Sequence, residues 1–296
     1  MSGAVASSGM GRSAIVRSTR RRVRGLSVAT ARVSAPLRLL PDFLIVGAQR
    51  CGTTSLFKTL AQHPMVARPF LRKGIHYFDM NYDRRLRWYR GQFPIEATSR
   101  LRRLGRGRPR TGESSPYYLF HPLAGQRIAA DLPGVRLIVL VRDPVERAYS
   151  AHSHELARGF ETEDFERAIE LEDDRLAGES ERMLADPWYE SHSWQHHAYL
   201  RRGCYIDQVT QLEELVGPDR LLVVDSHDFF IRPAETVPEV LDFLGLPLAA
   251  GITYEQHNAR ARPPLPAALR NRLDEHFRPY DEKLAAWWGR TPSWRR

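Results

Sequence analysis

The chain has 296 residues, enough to bury a sizeable core, and is most simply read as one folded domain behind an arm. Its formal charge of +9 comes from 44 basic and 35 acidic side chains, but the excess is local. Before Asp42 there are eight arginines, no lysine and no acid, which leaves 36 basic against 35 acidic side chains in residues 42–296 and argues against a nucleic-acid-binding domain.

The arm, residues 1–41, is rich in Ser, Ala, Gly and Arg and is expected to be a disordered, solvated tail. Its acid-free, Arg- and Ser-rich character also fits an organellar transit peptide or a loose contact with anionic surfaces. No apolar run has the length of a membrane span, and no secretory h-region is present. Two cysteines, Cys51 and Cys204, make neither a disulfide framework nor a metal-ligand pattern, so a reducing cytoplasm fits best.

Phe43, Leu44, Ile45 and Val46 are long enough for a buried strand, Gly47 ends the run, and residues 53–62 are compatible with a helix. A glycine-containing loop that feeds a helix start presents unpaired N–H groups and the positive end of the dipole to an anion. Gly47 and Gly52 have the spacing of a nucleoside-triphosphate loop, but Thr53 stands where that loop needs lysine, and the cation is Arg50, inside the loop. An ordinary glycine turn is the plainer alternative.

Further along, residues 66–70 lead toward a second strand, residues 73–78 read KGIHYF, and residues 82–91 form a short amphipathic helix. Six arginines between Arg100 and Arg110 mark a solvated loop or, more sharply, a rim that attracts an anionic acceptor. Residues 111–118 re-enter the core and 121–131 form a helix. Residues 136–141, RLIVLV, are apolar enough for a central parallel strand, and Asp143 and Pro144 suit the start of a helix running to about 158. Acidic helical segments follow, then a Trp- and His-bearing stretch in which His192 and His196 share a helix face without a partnering acid motif. A helix to Val216, a strand over 220–225, a helix over 233–244 and two helices between 266 and 288 complete the chain. This alternation argues for a parallel sheet covered by helices.

In such sheets ligands gather beyond the carboxyl ends of the strands, so the loop after Gly47 and the helix start after Arg142 face one ligand if their strands are neighbours. Arg142 supplies a planar donor fork and Ser150 a hydroxyl, a combination suited to a second phosphate. Alternatively, Arg142 pairs with Asp143 or Glu146 and Ser150 is merely helical.

Taken in order, GAQRCGTTSL, KGIHYF, RLIVLVRDPVERAYS and Arg202-Gly203 with Tyr205 resemble the heparan-sulfate branch of the sulfotransferases that use 3′-phosphoadenosine 5′-phosphosulfate (PAPS), and its bacterial relatives. The similarity runs from Phe43 to Trp288. It implies a P-loop NTPase-like, three-layer α/β fold with a central parallel sheet flanked by helices. The implied reaction moves a sulfuryl group from PAPS to a hydroxyl or amine of a saccharide, lipid or small metabolite, releases adenosine 3′,5′-bisphosphate and uses no metal. By position, Arg50, Cys51, Gly52, Thr53, Thr54 and Ser55 surround the 5′-phosphosulfate, while Arg142 and Ser150 hold the 3′-phosphate. Arg202, Gly203 and Tyr205 line the site, and Arg260 belongs to a late loop over the nucleotide.

The chain departs from this pattern at the base. Glycan-modifying members read K-E-x-H-[FY]-F, with the glutamate as general base, whereas this chain has Lys73-Gly74-Ile75-His76-Tyr77-Phe78. Glu113 matches an acidic position, but Ser114 stands where those enzymes often carry lysine. A positioned base is worth about 10²–10⁴ in rate, so His76 or Glu113 is expected to take the proton while Arg50 stabilises the growing charge. His76 as a structural histidine among aromatics is the alternative. Two rival functions follow: a P-loop kinase or NTPase, against which Thr53 counts, and a non-catalytic nucleotide-binding relative, motivated by Gly74.

Overall fold

The computed structural model describes residues 33–69, 73–103, 105–254 and 263–296. Five parallel strands, β1 (Phe43–Gly47), β2 (Val66–Ala67), β3 (Arg110–Ser114), β4 (Arg136–Val141) and β5 (Leu221–Asp225), form one sheet in the order β2-β3-β1-β4-β5. Every residue of β1 is buried, and so is all of β4 after Arg136. Their near-continuous apolar runs are what a strand covered on both faces requires.

Phe43 lies beside Gly112 of β3 on one side and Arg136 of β4 on the other. The chain leaves β1 toward β2 and β3, then crosses back to β4 and β5. The order therefore reverses at β1, and the crevice beyond its carboxyl end is where such sheets take ligands.

Helices α1 (Thr53–Leu60), α2 (Ala124–Asp131), α3 (Pro144–Arg158), α4 (Tyr205–Val216), α5 (Ser226–Ile231), α6 (Pro233–Phe243) and α7 (Ala267–Trp288) pack around the sheet. α4 packs on α2 and α7, α7 on α3, and α5 with α6 against β5. Three expectations are corrected. The end of the chain holds one 22-residue helix rather than two, because the buried Leu273, Phe277 and Leu284 tie both sides of Pro279 to the core. Of the second strand expected at 66–70, Val66–Ala67 alone pairs among the described residues, and residue 70 lies outside them. Residues 111–118, expected only to re-enter the core, do so through β3, which starts at Arg110 and whose polar sequence RTGES hid it.

Residues 33–41, grouped with the arm in the sequence, pack on the domain. Ala35 and Leu39 are buried, and Arg38 Nη1 donates to Phe93 O at 2.6 Å. Residues 1–32 lie outside the described residues. Among those described, no helix is long and apolar enough to cross a membrane.

The arginine-rich run of residues 100–110 sits at the amino ends of the strands. Arg103 donates to Pro64 O and Val66 O at 2.8 and 2.9 Å, and Arg108 and Arg110 reach Asp42 at 3.3 and 3.0 Å. That is the end of the sheet opposite the loop after Gly47. The run is therefore no rim of the crevice.

Candidate active site

The loop between β1 and α1 turns twice through the left-handed region, at Arg50 (φ 72°) and Gly52 (φ 87°). Gly52 is the N-cap of α1 and has no side chain with which to cap the first-turn N–H groups, so the helix start keeps its affinity for an anion. A Cβ at Gly52 would come within 2.9 Å of the Phe230 ring, a second reason for glycine.

Arg50, Arg142 and Ser150 converge beside this helix start. Arg50 Nε donates to Ser150 Oγ at 3.2 Å, and Arg142 Nη1 donates to Arg50 O at 3.4 Å. Arg142 also lies 3.7 Å from Glu146. Asp143 caps α3 by accepting from Val145 N at 2.9 Å and Glu146 N at 3.3 Å, and Arg270 holds its other oxygen at 2.6 Å. The two cations thus come from neighbouring strands, β1 and β4, and meet at one place. Thr53 and Ser55 are buried at the same helix start, and Thr54 Oγ1 accepts from Lys73 Nζ at 2.6 Å.

The RGCY segment braces this arrangement from behind. Buried Arg202 donates through Nη1 to Gln49 Oε1 of the loop and through Nη2 to the carbonyls of Trp194 (2.6 Å) and Gln195 (2.9 Å). Burial pulls its guanidinium down to about 10. A Cβ at Gly203 would lie 2.7 Å from the Phe277 ring, so this glycine permits close packing. Tyr205 OH donates to Arg142 O at 3.0 Å, which leaves its oxygen to accept from Cys51 Sγ at 3.5 Å. Burial pushes the Cys51 thiol up, away from the reactive thiolate form. Of the segment expected to line the site, Arg202 holds the loop through Gln49 and Tyr205 holds the backbone of Arg142. His196, which the sequence placed beside His192, faces Glu155 at 2.8 Å. Arg260 lies outside the described residues.

Facing the loop is the segment 73–76, held to the end of β3 by successive contacts. Ser114 N donates to Lys73 O at 2.9 Å, Ile75 N to Glu113 Oε2 at 2.7 Å, and His76 N to Ser115 Oγ at 3.1 Å. Glu113 is fully buried and accepts from four donors: Ile75 N, Ser115 Oγ, Tyr118 OH and Tyr89 OH, at 2.7 to 2.9 Å. Burial raises its pKa against those bonds. Its oxygens are occupied in holding the segment.

His76 has φ 55°, a conformation that is uncommon without glycine and concentrates at functional sites. Its Nδ1 faces Asp79 Oδ2 at 2.8 Å. An ideal Cβ at Gly74 would sit 3.4 Å from His76 Nε2 and 2.8 Å from Ser114 O. The imidazole thus reaches toward the position from which a side chain at residue 74 would grow. The sequence reading passed over Lys73, Asp79 and Gln49. His-x-x-Asp spacing was a findable signal for Asp79, whereas Gln49 carried none.

A sulfotransferase-domain family profile matches residues 40–260, and this chain belongs to the sulfotransferase family. Members of that family transfer a sulfuryl group from PAPS. The chain is 28% identical over 292 residues to mouse heparan sulfate glucosamine 3-O-sulfotransferase 6, covering 94% of this chain and 79% of that one. It is 24% identical over 318 residues to the membrane-associated sulfotransferase kil1 of Dictyostelium discoideum, covering 85% of this chain and 66% of that one. A crystallised sulfotransferase from Alicyclobacillus acidocaldarius superposes with a TM-score of 0.62 at 30% identity, over 87% of this chain and 100% of that one.

Proposed function

We propose that this protein transfers a sulfuryl group from PAPS to an acceptor hydroxyl and releases adenosine 3′,5′-bisphosphate. The observation that carries the reading is the meeting of Arg50, Arg142 and Ser150 at the uncapped start of α1, two cations and a hydroxyl suited to the two phosphate ends of one nucleotide. The first turn of α1, with Thr53, Thr54 and Ser55, receives the 5′ end. Arg142 and Ser150 receive the 3′-phosphate. PAPS supplies a sulfuryl group already bonded to a stable leaving group, and the protein's part is to orient it, stabilise charge and take a proton.

His76 is the base of this scheme. Asp79 anchors Nδ1 and so directs the lone pair of Nε2 outward, toward the acceptor. Glu113, the other candidate, positions the segment instead, since a carboxylate with four donors has no oxygen left for an acceptor proton. Because the mouse relative is named for transfer to a glucosamine oxygen, saccharide hydroxyls are the first acceptors to try, ahead of lipids and phenolic metabolites. Two buried free thiols are compatible with a cytoplasmic site of action.

The test is sulfate transfer from radiolabelled PAPS over those three acceptor classes, with Arg50→Ala and Arg142→Ala run beside the wild type. Arg50→Ala is expected to lower turnover by about 10²–10³, the usual effect of removing a group that stabilises developing charge, whereas Arg142→Ala, which loses a 3′-phosphate contact, is expected mainly to weaken PAPS binding and raise its KM. Unlabelled acceptors throughout, together with stronger thermal stabilisation by ATP and Mg²⁺ than by adenosine 3′,5′-bisphosphate, would reject the reading in favour of a nucleotide kinase.

A further inference from the structure

We propose that Lys73 is a second catalytic cation, one that leaves Thr54 during turnover and donates its hydrogen bond to the bridging oxygen of the departing 5′-phosphate. This rests on the reading of the site as a PAPS site. The geometry supplies both ends of the argument. Lys73 Nζ lies 2.6 Å from Thr54 Oγ1, in the first turn of α1, where the 5′ end is received. The Lys73 carbonyl accepts from Ser114 N at 2.9 Å, so the backbone that carries the ammonium is pinned to β3 while the side chain reaches across to the helix.

Lys73 and His76 stand three residues apart on one segment held by Glu113 and Ser115. In an in-line displacement the acceptor and the leaving oxygen lie on opposite sides of sulfur, and this segment offers a group to each. His76 Nε2 takes the acceptor proton as the acceptor oxygen bonds to sulfur. The bond from sulfur to the bridging oxygen breaks, its electron pair stays on that oxygen, and Lys73 Nζ–H stabilises the charge. No further reactant is needed.

The groups facing Lys73 are Thr54 and Lys58 from α1, Glu113 from β3, and His76 on its own segment. Burial pulls the ammonium down to about 8, with Glu113 opposing and Lys58 assisting the shift. The cation is therefore lost at mildly alkaline pH.

Three lysines, Lys58, Lys73 and Lys283, make amine labelling easy to resolve by mass spectrometry. Adenosine 3′,5′-bisphosphate is expected to slow labelling of Lys73 at least about tenfold and to leave Lys283 unchanged, a readout that needs no turnover. In kinetics, Lys73→Met is expected to lower kcat about 10²-fold with the nucleotide Kd changed less than about threefold, the signature of a contact made in the transition state. The wild type is expected to lose kcat above about pH 8, and Lys73→Arg is expected to fold and bind alike, keep part of the rate, and lack that fall. Unprotected Lys73, a Lys73→Met enzyme with wild-type kcat, or an unmoved alkaline limb in Lys73→Arg would overturn the proposal while leaving the PAPS reading standing. A wild type that neither binds adenosine 3′,5′-bisphosphate nor transfers sulfate would overturn both.

Discussion

His76 differs from an ordinary surface histidine because one ring nitrogen is committed. Its partner Asp79 has a fully buried side chain, so Nδ1 is held and the lone pair stays on Nε2. Burial by itself lowers the imidazole pKa, but the hydrogen bond and charge of Asp79, with the charge of Glu113, outweigh it and the net shift is upward. Activity and stability then depend on pH in opposite directions. The proposed base must be neutral to act, so kcat/KM is expected to rise with pH through a value above the ordinary one of about 6.5. The charged dyad's contribution to stability is fully present below the unfolded pKa and is lost as pH rises through the higher folded one. In Asp79→Asn the upward pull is gone, so the midpoint of the rate profile moves to lower pH. The plateau should fall about 10²-fold as the ring loses its anchor. Paired pH–rate profiles check both effects, and a midpoint that stays in place argues against the dyad.

At the scale of elements, the segment 73–76 shows why the usual glutamate cannot simply be put back. It runs so close to the end of β3 that a Cβ on Gly74 would approach Ser114 O to 2.8 Å, and backbone cannot yield as a side-chain tip can. Gly74→Glu should therefore cost about 1–3 kcal/mol of stability, as overpacking does, and reduce turnover by displacing His76 rather than raise it. Urea unfolding and initial rates measure the two, and a stable, faster enzyme would show that the segment moves freely. This part of the site was only half legible. The missing carboxylate and the histidine stood in the sequence, but the four donors around Glu113 come from stretches as far apart as Ile75, Tyr89 and Tyr118, and no local pattern joins them. β3 was hidden for a related reason: its buried positions are Thr111, Gly112, Glu113 and Ser114, which carry no apolar run. The strand-loop-helix units at Gly47 and Arg142 were readable because continuous apolar strands and helix-starting residues lie next to each other in the chain.

At the scale of the whole molecule, the arginine-rich run and the candidate site occupy opposite ends of the sheet. The arginines of residues 100–110 gather where the strands begin, around Asp42, Pro64 and Val66, whereas Arg50, Arg142, Lys73 and His76 stand where they end. A five-residue strand such as β1 spans about 16 Å at about 3.3 Å per residue. At physiological ionic strength that is about two Debye lengths of roughly 8 Å each, so the field of the run is largely screened before it reaches the crevice. The exposed Arg102 and Arg106 make this a clean test, since neither is tied to Asp42 as Arg108 and Arg110 are. Reversing both, Arg102→Glu with Arg106→Glu, should change kcat/KM by less than about twofold and leave its salt dependence as in the wild type, because steering needs charge within reach of the encounter. Measuring kcat/KM from low to physiological salt decides it. A steep loss in the double variant at low salt would mean that an acceptor long and anionic enough to contact both poles is being drawn in along the outside of the sheet.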